Sequence, residues 1–127
     1  MKPSESQKSF QVAMRTRLPL QWWASSWKVT ERLRAAFREY SGIEIVFDRD
    51  ELPPGSYYDI LLSLPEARRP AALKIAIREV RKYPRHFLRD VGLKTIGVFD
   101  VCASRQGDGY RPYDDHLKGY RYFGIYN

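Results

Sequence analysis

Pro70 to Val101 reads PAALKIAIREVRKYPRHFLRDVGLKTIGVFDV, and this stretch decides the fold. Leu73, Ala76, Ile77 and Val80 fall at i, i+3, i+4 and i+7, which makes one apolar stripe on a helix. Pro70 suits the first turn of that helix, and Tyr83-Pro84 ends or kinks it. A further turn carries Phe87, Leu88 and Val91 and closes on Gly92. Leu93 to Val101 then reads as a central strand, dense in β-branched and aromatic residues.

Working outward, Trp27, Leu33, Ala36, Phe37 and Tyr40 recur at helical spacing upstream. Ser25 and Ser26 are suited to cap that helix and Gly42 to end it, so it is expected over 26–41. Ile43 to Phe47 alternates Ile43, Ile45 and Phe47 on one face of a strand, and Asp48 to Gly55 breaks it. Tyr57 to Leu64 is ambiguous between a short strand and a helical turn. Downstream, Ala103 to Lys118 reads as a long polar loop and Gly119 to Tyr126 as a final edge strand. The expectation is an α+β fold, with two main helices packed on a small, mainly antiparallel sheet. Residues 1–17 are polar and read as a flexible arm; 18–127 form a single domain.

The chain has 127 residues, 22 Lys plus Arg and 15 Asp plus Glu, a net charge of +7. That balance is compatible with nucleic acid or other acidic partners and selects none. Cys102 is the single cysteine, which excludes an intramolecular disulfide and a cysteine zinc cluster. With only His86 and His116, a three-histidine site within the chain is excluded too. No apolar run is long enough to span a membrane, and none follows Met1 to Lys8 at signal-peptide spacing. No membrane partner is expected, and a cytoplasmic location is the default reading.

Four constellations could carry function. His86 and His116 could meet Asp114 or Asp115 to make a two-histidine, one-carboxylate metal site. The plainer reading is a polar residue in a helical turn and another in a solvated loop. Cys102 with His116 could form a nucleophile pair, but a lone Cys at a strand end is more often a small buried hydrophobe. Ser104 lacks the Gly-x-Ser-x-Gly setting of a nucleophile elbow. Lys74, Arg78, Arg81, Lys82 and Arg85 line one helix face opposite the apolar stripe, with Arg68, Arg69 and Arg89 extending it. Such a face neutralises phosphates in a nucleic-acid-binding module, or is simply the solvated side of the helix. Tyr120, Tyr122 and Tyr126 mark the last strand as an edge for an extended peptide or for a second copy. The same strand partly echoes the aromatic RNA-recognition signature, although Arg121 stands where Gly or Ala is wanted.

The segment from Ile77 to Leu88 (IREVRKYPRHFL), then Val91 to Val98 (VGLKTIGV), the Gly-rich loop and the Tyr-rich strand together resemble a known arrangement. It is the part of zincin-like metallopeptidases of the bacterial lethal-factor catalytic-domain type that precedes the zinc helix. The resemblance covers roughly Arg69 to Tyr126 and implies a backing helix, a sheet and an edge strand that aligns substrate backbone. In that family a His-Glu-x-x-His helix follows. No such motif stands in these 127 residues, so no metal ligand or catalytic Glu is carried over. What the resemblance implies is a zincin-like front half, catalytically incomplete and without hydrolysis. Zinc would enter only with a further C-terminal helix.

Overall fold

Helix α1 occupies Leu20–Ser41, six residues longer at its start than the spacing of its apolar positions indicates. Ser25 and Ser26 therefore lie within it instead of capping it. The computed structural model describes residues 20–126, with side chains from Trp27 onward; the arm expected over 1–17 lies outside the described residues. At the C-terminal end Gly42 takes φ +73° and donates its N–H to the Arg38 carbonyl at 2.8 Å. The buried Ser41 hydroxyl donates to the Phe37 carbonyl at 2.6 Å and accepts the Ile43 N–H at 3.2 Å. These bonds satisfy backbone groups left over by the helix end and turn Ile43 into the core.

Strand β1 (Glu44–Val46) follows, with Ile43, Ile45 and Phe47 all buried on the helix side as their alternation indicates. The ambiguous segment resolves as strand β2 (Ile60–Ser63). Helix α2 (Arg69–Val80) lays Leu73, Ala76, Ile77 and Val80 against Phe37, Ile45 and Val98, so its stripe packs on both α1 and the sheet. A four-residue helix α3 (Phe87–Asp90) precedes strand β3 (Leu93–Gln106).

Strand β3 is the spine of the sheet. One side pairs first with β1, in parallel, and then with β2, antiparallel. The other side pairs antiparallel with β6 (Tyr120–Tyr126) over Leu93–Phe99 and with β4 (Gly109–Pro112) over Ala103–Gln106. A two-residue strand β5 (His116–Leu117) lies outside β6. The sheet has six strands, and β1–β3 is its one parallel pairing among the described residues. This is an α+β fold with two main helices on a small, mainly antiparallel sheet.

The long loop expected over 103–118 is a correction. It contains the end of β3, a hairpin turned by Gly107-Asp108, and strands β4 and β5. Gly107 has φ +61°, the left-handed conformation that two-residue hairpins use. Tyr110 and Arg111 are exposed, so the ribbon holds by its backbone ladder and carries no apolar alternation to announce it.

The face of the sheet away from the helices carries an aromatic layer. Phe99 and Phe123 stack at 5.8 Å between centroids, and Tyr58 meets Phe123 edge-on at 5.3 Å. Leu52, Tyr57, Tyr58 and Tyr113 cover Leu61 and Cys102 there. Gly97 makes the stack fit, since a Cβ on it would stand 2.8 Å from the Phe123 ring.

Candidate binding surface

The side chains of β6 alternate across the sheet. Tyr120 and Tyr122 face the helices, whereas Phe123 and Ile125 belong to the aromatic layer. The strand is not an edge along its whole length, as its sequence suggests. β5 covers it at Tyr120 and Arg121, which leaves residues 122–126 with no strand neighbour on the outer side among the described residues. Tyr120 is half-buried under the Arg68 guanidinium, 4.7 Å above its ring, and is a packing residue. Tyr122 and Tyr126, 42% and 65% exposed, stand at the open part. An RNA-stacking platform is not formed, because Tyr120 packs against the helix-side core and Tyr122 lines the groove on that same face.

Beside this open edge runs an apolar groove of about 190 Å³ between α2 and the sheet. Ile96 and Val98 on β3 contribute to its lining, with Ile75, Ala76 and Tyr83 on the helix side and Leu117 and Tyr122 from the outer strands. Tyr83 stacks on Phe87 at 5.7 Å, and both rings are exposed. Glu79 puts one carboxylate in the lining, held by Lys82 at 2.9 Å. A free strand edge offers backbone donors and acceptors, and an apolar groove alongside it offers a seat for a side chain.

The basic face separates into used and unused cations. Lys74, Arg78 and Arg81 line a cleft of about 430 Å³ with Leu33, Ala36 and Ile77, between α1 and α2. No ion pair to these three occurs among the described residues. Lys82 is bound to Glu79, and Arg85 donates to the Glu39 carbonyl at 3.3 Å. The expected extension of the face is corrected at Arg69, which is buried, whereas Arg68 and Arg89 are accessible and ion-paired. Arg68 pairs with Asp100 at 2.9 Å, Arg89 with Asp90 at 3.2 Å, and Arg69 is buried against Asp48 at 3.2 Å.

His86, His116 and Asp114 are not brought together. No group of three His, Cys, Asp or Glu side chains is placed to hold a metal among the described residues. His86, at φ +64°, donates its N–H to the Tyr40 carbonyl, and its Nε2 lies 3.1 Å from the Glu39 carbonyl oxygen. It closes the C-terminal end of α1, where donors are favoured. His116 is exposed on β5, opposite Arg121. Cys102 is fully buried, and burial pushes its thiol up to about 11, away from nucleophilic use.

Four residues that the sequence reading does not single out, Tyr58, Arg105, Arg111 and Tyr113, stand at the far end of the sheet beside Asp114 and Asp115, which it weighs as metal ligands. Together they line a cleft of about 450 Å³. Burial, and the bond its hydroxyl donates to Asp115 at 2.8 Å, hold the Tyr113 phenol well above its ordinary range. Burial, with Cys102 next, raises Tyr58 as well. Both phenols stay protonated and tie the hairpin to the aromatic layer.

No helix among the described residues is long and apolar enough to cross a membrane. Comparison of the chain with protein-family models, with curated proteins and with solved structures finds no match.

Proposed function

We propose that this chain is a strand-accepting protein-binding scaffold, in which the open part of β6 takes an extended apolar polypeptide and does not cleave it. One observation carries the reading: among the described residues, 122–126 have no strand neighbour on their outer edge, which runs directly beside the apolar groove under α2. An incoming strand completes the ladder through its backbone and lowers an apolar side chain beside Tyr122. The resemblance supports the same reading, as the front half of a zincin-like metallopeptidase domain with its substrate-aligning strand. Hydrolysis by that chemistry needs a metal to polarise the carbonyl and activate water, and the His-Glu-x-x-His motif that supplies its ligands is not in this sequence.

The test uses a fluorescein-labelled decapeptide of alternating Val and Thr. Saturable binding is expected, with Tyr122→Lys weakening it at least about tenfold. Equal affinity of the two proteins, or zinc-dependent cleavage of the peptide, would sink the proposal.

A second reading rests on Lys74, Arg78 and Arg81 of the helix cleft, which have no ion pair among the described residues and suit the phosphate backbone of nucleic acid. Three phosphate contacts on duplex DNA give a slope of about −2.7 in log K against log salt. Replacing Lys74, Arg78 and Arg81 together by Glu is expected to abolish this binding and leave the decapeptide affinity unchanged. DNA binding that survives the triple replacement with an unaltered salt slope would remove the second reading.

A further inference from the structure

We propose that the strand β6 accepts is β6 of a second copy, in an antiparallel dimer with Gly124 on the two-fold axis. This rests on the reading of residues 122–126 as a strand-accepting edge, and it names the partner. The open edge runs Tyr122-Phe123-Gly124-Ile125-Tyr126, an order nearly the same in both directions. Antiparallel pairing centred on Gly124 sets Tyr122 opposite Tyr126 of the second copy, Phe123 opposite Ile125, and Gly124 opposite itself. Every pair then matches in face: Tyr with Tyr on the helix side, Phe with Ile on the aromatic-layer side.

The register is singled out by what bounds the edge. A shift by one residue would set helix-side positions against positions of the other face. A shift by two in one direction sets Ile125 and Tyr126 of the second copy against Arg121 and Tyr120, which β5 already covers; in the other direction it takes Tyr122 and Phe123 off the second copy's residues 122–126. Only the Gly124-centred register engages all five open residues. Glycine at the axis also keeps the space between the four tyrosine rings clear of a side chain.

Two measurements test the proposal. Sedimentation of the unmodified chain from low to high micromolar concentration is expected to pass from monomer to dimer. Separately, a Tyr122→Cys protein and a differently tagged Tyr126→Cys protein are mixed under mild oxidation. Both tyrosines are exposed, so the folded state tolerates these changes, and the buried Cys102 does not compete. Positions 122 and 126 lie opposite each other in the proposed register. Two copies of position 122 lie about 13 Å apart along it. A disulfide cannot span more than about 7 Å between Cα atoms, so the mixed product is expected in roughly tenfold excess over either like-with-like product. A monomer at every concentration, or like-with-like products in equal yield, overturns the dimer. A monomer that still binds the Val/Thr decapeptide, with Tyr122→Lys weakening it, overturns the dimer and leaves the edge reading standing.

Discussion

Replacing Phe123 by Ala is expected to destabilise the fold by about 3–5 kcal/mol, the range for emptying a buried aromatic site. Phe123 is 8% exposed and contacts three other rings: Phe99, Tyr57 and Tyr58. It also lies on Gly97, where no side chain is available to fill the space. The cavity therefore opens between β3 and β6, the pair that holds the binding edge in place. Urea unfolding followed by tryptophan and tyrosine fluorescence checks the magnitude. A melting temperature lower by roughly 10–20 °C is the thermal counterpart for a domain of this size. A loss below about 1 kcal/mol would mean that the aromatic layer is not a packed core.

The second large effect is expected at Arg69, which is 6% exposed. Its Nε donates to the Leu64 carbonyl at 2.8 Å, and its guanidinium pairs with Asp48 at 3.2 Å and lies 5.3 Å from the Phe47 ring centre. Arg69→Ala takes the cation from a largely buried carboxylate and a donor from a carbonyl. Removing one partner of such a pair costs about 3–5 kcal/mol. The Asp48 side chain keeps 18% exposure, which places the expected loss at about 3 kcal/mol, the low end of that range. The double variant Arg69→Ala with Asp48→Ala is expected to be less destabilised than the sum of the two single changes. Strict additivity in urea unfolding would show that the pair is not coupled.

What was legible in the sequence is what local pattern controls. The stripe Leu73, Ala76, Ile77 and Val80 specifies α2, Gly42 ends α1, and the alternation Ile43, Ile45, Phe47 specifies β1. Each depends on neighbours three or four residues away, or on alternation within one strand. The hairpin after Cys102 was not legible, because its exposed, polar strands are held by backbone pairing. Nor were the partners of the arginines. Arg68 reaches Asp100 and Arg69 reaches Asp48, across 32 and 21 residues of chain. A stripe of cations on paper thus divides into structural ion pairs and three side chains without an ion pair among the described residues. The candidate edge was legible as a Tyr-rich last strand. Its extent was not, since β5 covers one end and α2 makes the groove only once the chain is folded.

Amide hydrogen exchange along β6 tests the strand-accepting edge most directly. It is followed in dilute protein, in concentrated protein, and in dilute protein with the Val/Thr decapeptide. Exchange within Tyr122–Tyr126 is expected to slow in the second and third conditions, while the amides of α1 and α2 keep their dilute rates. Unchanged exchange of Tyr122–Tyr126 in both conditions would contradict the account.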